Sequence, residues 1–355
     1  MIEGRSDKKL VEIDFLRSIS IIFIMITHSP AYIHNNYFIN NLSPYLSYLG
    51  LGMFVFLSGY LIYYKNPIIR TKSDIIAFYT KRIKRIYILY WIALISFILV
   101  FGVVFLFLGY KPPIDLSCFS LIAHLFGAQV LLAPRYVIPY FTLWYIGLIV
   151  IYYCIYPFLI RYSKDIKALF LNSILIFILL YIIHTFFNVF EIRFFIYYFI
   201  FISGIIIASN KMFRYVKYEK YFLILPIILI CSTILSIKIG INLSNWKSII
   251  LIEILMISFN FMQLYTAEQL VNYFSYREKQ LLILISTASY CVFLFHRPIL
   301  FLFYQVFNLY VSPNLSDILM MLISYPILFI VSYYIQKFEF YIIIHQKRKT
   351  KETLS

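Results

Sequence analysis

Three ionisable residues in one apolar stretch are the first place where this sequence could do chemistry. Asp14, Arg17 and His28 interrupt a run that is otherwise dominated by Ile, Phe, Leu and Met. On a helix they fall at about 0°, 300° and 320°, within one face of about 60°. The rise from Arg17 to His28 is roughly 16 Å. With Arg17 at the inner headgroups, His28 sits about halfway through a ~30 Å hydrocarbon core. A stripe of this kind is expected to line a protein interior or a water-filled path, because lipid cannot solvate it. Asp14 and Arg17, three residues apart, can pair. A neutral imidazole at that depth can accept a proton, as a general base does, or it can hydrogen-bond a neighbouring helix; both readings stay open.

Further chemistry-bearing residues lie in later segments. The run Lys81-Arg82-Ile83-Lys84-Arg85 closes a very basic loop. Arg82 and Arg85, three apart, can share a helical face and hold phosphate with forked donors, or they can serve only topology and anionic lipid. Glu253 is a carboxylate deep in a late apolar stretch, with Asn260 on nearly the same face. Ser289 and His296 also share a face, and Pro298 is expected to kink the helix there. His34, His124, His184 and His345 are read as structural. No histidine–carboxylate cluster has metal-site spacing, so no metal is expected.

The elements that must position these groups follow from composition. Of 355 residues, 63% are apolar and only 13% are charged, with mean hydropathy +0.86 and aromatic residues at 21%. A soluble domain carries about 25% charged residues. Those values exclude a soluble enzyme, a disordered chain and a secreted disulfide scaffold, and leave an integral membrane protein. Cys118, Cys154, Cys231 and Cys291 are widely spaced and form neither a CxxC pair nor a disulfide framework. The expected fold is all-α and polytopic. Ten spans are predicted at approximately 13–33, 46–64, 86–110, 139–160, 168–187, 193–210, 221–239, 247–266, 280–306 and 317–337. The stretch 117–133 is read as re-entrant or interfacial. With both termini cytoplasmic, 25 of the 31 basic residues fall on the cytoplasmic side. The net charge of +16 is therefore assigned to topology rather than to nucleic acid. One domain over 1–355 is expected, with a basic cytoplasmic tail at 338–355 and no appended soluble domain.

Taken in order, these pieces resemble the acyltransferase-3 family of membrane acyltransferases. Asp14-Phe15-Leu16-Arg17 ending at His28 is similar to its D-x-x-R…H opening. Gly52-Met53-Phe54-Val55-Phe56-Leu57-Ser58-Gly59-Tyr60-Leu61-Ile62 resembles its "FFVLSGFLI" signature, and Lys81 to Arg85 its R-x-x-R loop. Leu143-Trp144-Tyr145 with Tyr152 and Pro157 resembles "WFL…Y…P", Ser289-Tyr290 to His296 and Pro298 resembles "SYSxYLxHxP", and Phe338-Glu339 resembles the closing segment. Two departures stand out. Ile88 replaces a frequent Pro, and Gly147-Leu148-Ile149-Val150-Ile151 lacks a Glu that many members carry.

The resemblance implies an O-acyltransferase of the bacterial plasma (inner) membrane. It would move an acyl group, acetyl by preference, from cytoplasmic acetyl-CoA to a sugar hydroxyl of a surface polysaccharide or lipid-linked glycan. It implies that Arg82 and Arg85, with Lys81, Lys84 and Arg17, hold the CoA phosphates. His28 would be the general base, with a covalent acyl-histidine as the variant. Asp14, Ser58, Gly59, Trp144, Glu253, Asn260, Ser289, Tyr290 and His296 would be supporting residues, with Ser58-Gly59 packing close beside the first span. The rival is a glycan or lipid exporter, against which stands the lack of an internal repeat. A third reading is a non-catalytic scaffold subunit.

Overall fold

The computed structural model describes residues 11–33, 37–107, 109, 111–209, 224–240 and 245–352. Among these the chain is all-α, with no strand. The helices are α1 (Val11–His28), α2 (Tyr37–Lys65), and α3, which runs Lys72–Phe97, takes a π turn at Ile98–Val103 and ends with Val104–Phe107. Two short helices follow, α4 (Cys118–Leu125) and α5 (Gln129–Leu132). Next come α6 (Trp144–Arg161), α7 (Ile166–Phe187), α8 (Ile192–Ser209), α9 (Ile224–Ile239), α10 (Trp246–Leu270) and α11 (Tyr276–Tyr310). The last helix, α12, comprises Pro313–Leu319, a π turn at Met320–Ser324, and Tyr325–Glu352.

Eight helices among the described residues are long and apolar enough to cross a membrane. They exclude α1, which carries Glu12, Asp14 and Arg17, and α9, whose described part has 16 residues. Each of the ten expected spans overlaps a helix among the described residues. The chain is therefore an all-α, multi-pass membrane protein. The stretch 117–133 forms no single helix: α4 and α5 are separated by a turn at Gly127, whose φ is +68°. A side chain there would be strained. Residues 338–352, within the expected basic tail, continue α12 as helix. Arg5, Lys8, Lys9 and the loop cations Lys211, Arg214, Lys217 and Lys220, which entered the charge count, lie outside the described residues, as does His34.

Local signals start the helices that carry the site. Thr71 and Asp74 form a reciprocal capping box at α3, and Ser275 with Glu278 does the same at α11. Each box satisfies two otherwise orphaned N–H donors. In packing, α1 is held between α2 and α11, with α10 also against it. Ser18 Oγ on α1 donates to the Leu282 carbonyl on α11 at 3.1 Å, and Ser20 Oγ to the Gly50 carbonyl on α2 at 2.6 Å.

The closest helix approach joins α2 to α8. A Cβ on Gly59 would collide with the Phe201 carbonyl oxygen, and one on Gly204 with the Phe56 carbonyl. This corrects the expectation that Ser58-Gly59 packs against the first span; Gly59 faces α8. Small residues let backbones touch in a medium where apolar side chains gain nothing by leaving lipid. By contrast, α7 buries only Leu169 and Ser173 and lies at the periphery.

Candidate active site

A cavity of about 670 Å³ opens among α1, α2, α3, α6, α11 and α12. That lies within the range of small-ligand sites, roughly 300–1,000 Å³. Five cations line it: Arg17, Lys65, Lys81, Arg82 and Arg85. Asp14 is the carboxylate among the lining residues. A volume walled by so many cations attracts a polyanion. Lys81 and Arg85 are exposed, and Arg17 and Arg82 are half-buried. The Arg82 guanidinium stacks between Phe78 (5.6 Å) and Tyr153 (5.2 Å), and its Nε is buried with no partner. It is thus held in place by rings, through cation–π attraction, while a donor remains free.

The expected residues divide. Asp14 does not turn to Arg17: its Oδ1 accepts a 2.6 Å hydrogen bond from Ser286 Oγ on α11. Ser58, Ser289 and Tyr290 line the cavity, and the Tyr290 hydroxyl donates to the Ile86 carbonyl at 3.2 Å. Lys84 does not line it. Positions 81, 82 and 85 span an arc of about 100° on α3, and 84 falls about 60° outside it. Trp144 is also elsewhere, beneath the Arg193 guanidinium at 3.9 Å, and Arg193 pairs with Glu191. Glu253 and Asn260 neither line the cavity nor meet an imidazole; both amide atoms of Asn260 are buried without a partner.

At its inner end the cavity meets a cluster of rings. Tyr145 and Phe293 lie 4.9 Å apart, and Phe54 packs on both at about 6.5 Å. From Ser286 to Phe293 the helix rises roughly 10 Å, and His296 is about one turn deeper. Phe293 packs on His296 at 6.0 Å, and His296 stacks on His28 at 4.9 Å with 20° between the planes. Helix α1 therefore delivers His28, its last residue, to a second imidazole from α11. Arg297 joins them, with its Nη2 3.0 Å from His28 Nδ1. A guanidinium can only donate, so Nδ1 accepts and the His28 proton is on Nε2. The His296 Nδ1–H donates to the Phe293 carbonyl at 2.8 Å, and its Nε2 is buried with no partner. The helix continues through Pro298.

Sequence reasoning missed Arg297, Ser286, Lys65, Tyr145 and Tyr153. In the charge count Arg297 is one of the six basic residues that do not fall on the cytoplasmic side. Its place one residue past a mid-span histidine was a usable signal, since a charge at that depth is costly and usually functional. Of the other histidines, His124 is structural: its Nδ1–H donates to the Ser120 carbonyl at 2.7 Å and Nε2 accepts from the Tyr140 N–H at 3.0 Å. Burial depresses its pKa to about 4. His184 Nδ1 bonds the Val189 carbonyl at 2.7 Å. No group of three His, Cys, Asp or Glu that could hold a metal occurs among the described residues.

Compared with known proteins, the acyltransferase domain family matches residues 10–337. The chain belongs to the acyltransferase-3 family. No curated protein and no solved structure matches it. Membership makes this chain a multi-pass membrane acyltransferase. The residues that carried the resemblance are scattered from Asp14 to Glu339, yet several from four of the motifs converge here. Asp14, Arg17, Ser58, Arg82, Arg85, Ser289 and Tyr290 line the cavity of this family member, and His28 meets His296 beyond it.

Proposed function

We propose that this acyltransferase takes an acetyl group from acetyl-CoA at the cationic cavity and passes it to a sugar hydroxyl of a surface glycan or lipid-linked saccharide. The cavity opens, on this reading, to the cytoplasm of a bacterial cell. Arg17, Arg82 and Arg85, with Lys65 and Lys81, hold the donor phosphates through charge-assisted bonds. The donor's thioester arm passes the Phe54–Tyr145–Phe293 rings towards His28. There the acceptor O–H proton goes to an imidazole, the oxygen attacks the thioester carbonyl, and the carbon–sulfur bond breaks. The thiolate then takes up that proton, leaving free CoA thiol. His28 can serve as the base through Nδ1 once Arg297 withdraws from it.

One observation carries this reading: the cavity with five cations at one end stops about one helical turn short of a stacked imidazole pair. Negative charge and a proton acceptor are thereby served along one stretch of α11, with the Phe54–Tyr145–Phe293 rings between them. The test is acetyl-CoA binding and slow hydrolysis by purified protein in detergent. Wild type should bind and release CoA. His28→Ala should bind but release none, and Arg82→Ala/Arg85→Ala should lose binding. A wild-type protein without affinity for acetyl-CoA would remove the donor assignment and bring the exporter reading forward.

A further inference from the structure

The two stacked imidazoles are not equivalent. In His28 the Nδ1 lone pair already accepts from Arg297 at 3.0 Å, so the ring has no bare lone pair to offer. Its remaining nitrogen carries hydrogen and can donate. In His296 the tautomer is fixed the other way. The Phe293 carbonyl holds the Nδ1–H at 2.8 Å, which leaves a lone pair on Nε2. That nitrogen is buried and meets no protein donor. A buried acceptor left unpaired costs free energy and calls for an explanation, and a ligand hydroxyl supplies one. The rings are nearly parallel at 4.9 Å, so the two do not hydrogen-bond each other in plane. The donating edge and the accepting edge stay available together.

We infer that His296 is the base of the transfer, and that His28, held by Arg297, is the hydrogen-bond donor to the thioester carbonyl. This rests on the acyltransferase reading above. The acceptor O–H bond breaks and its proton goes to His296 Nε2. The acceptor oxygen forms the new bond to the carbonyl carbon while His28 Nε2–H steadies the oxyanion without losing its proton. A neutral imidazole acting as electrophile is established enzyme chemistry. The C–S bond then breaks with its electron pair on sulfur, and His296 returns the proton to the thiolate. Arg297 is a positioning residue that sets the His28 tautomer. The other titratable groups around the pair are Tyr32, whose hydroxyl reaches the Arg297 carbonyl, and Tyr325 on α12, whose hydroxyl is buried without a partner.

The assay is CoA release from acetyl-CoA, with water as acceptor, across about pH 5 to 8, alongside acetyl-CoA affinity. His296→Asn keeps a donor for the Phe293 carbonyl but deletes the Nε2 lone pair. Its affinity should stay within about threefold and its release should fall about 100-fold or more. His28→Gln, which keeps a donor, should slow release less than His296→Asn does and should leave affinity within about threefold. Arg297→Met gives a second arm: it frees the His28 lone pair, removes a charge beside His296 and should slow release, whereas Arg297→Lys, which keeps a donor for Nδ1, should restore it. Faster release in Arg297→Met that persists in Arg297→Met/His296→Asn would show that His28 is the base Arg297 was blocking, and would overturn the assignment. So would His296→Asn with near wild-type release. If wild type neither binds nor cleaves acetyl-CoA, the donor assignment fails first and this division of labour goes with it.

Discussion

Acidification should loosen the segment that leads into α6, and His124 sets the magnitude. The ring is fully buried, stacks on Tyr140 at 3.7 Å, and uses both nitrogens on backbone groups. Burial is the main cause that lowers its pKa to about 4, opposed by the Ser120 carbonyl and by Asp115. An unfolded histidine titrates near 6.5. Between those values the unfolded segment binds more protons than the folded one, so stability rises with pH. The contribution is complete above about pH 6.5 and is lost as pH falls towards 4. The full window is worth about 3 kcal/mol, and by pH 5 about 2 kcal/mol is gone, or about thirty-fold in the opening equilibrium. Amide hydrogen exchange on peptides covering 117–143, corrected for intrinsic pH chemistry, measures this directly. Protection should drop between pH 7 and 5 in wild type, and the drop should disappear in His124→Asn. Protection that is unchanged within about twofold, or that falls equally in the variant, would refute the reasoning.

Other outcomes follow from the packing and the cavity. Gly59→Ala or Gly204→Ala places a methyl against a backbone carbonyl of the facing helix, where no rotamer can yield. Each should cost about 1–3 kcal/mol or more, seen as a lowered Tm in detergent; an unchanged Tm in both would deny the α2–α8 contact. Lys84→Ala should leave acetyl-CoA affinity unchanged, whereas Arg82→Ala should weaken it tenfold or more, since hydrogen bonds to charged groups are worth about 1.5–3 kcal/mol. Equal losses in titration calorimetry would contradict the face assigned to α3. Arg193→Met strips Glu191 of its partner and Trp144 of its cation, and burial already raises the Glu191 pKa. A loss of about 3 kcal/mol is expected near neutral pH, shrinking as acid protonates Glu191; a thermal-shift series against pH checks the sign.

Much of the architecture was legible in the residues. Apolar runs of spanning length dictate helices, because backbone polar groups in hydrocarbon must be satisfied within the segment. Each expected span accordingly overlaps a helix among the described residues, and Gly127 breaks 117–133 where a left-handed turn was needed. The stripe of Asp14, Arg17 and His28 needed only helical geometry to be seen as inward-facing, and the Arg82/Arg85 spacing needed only the same.

Tertiary structure decided which helix each face meets. In a soluble protein the apolar face points to the core, but a membrane helix is apolar on every side, so hydropathy does not choose a partner. Hence Gly59 faces α8 rather than α1, Asp14 turns to Ser286 rather than Arg17, and Lys84, Trp144, Glu253 and Asn260 fall outside the cavity. Hence also His28 and Arg297, 269 positions apart, come within 3.0 Å. The residue types that can hold a phosphate or carry a proton were written in the sequence. Which lone pair is occupied and which is bare was decided by the contact between α1 and α11, because a tautomer depends on the partner across the interface.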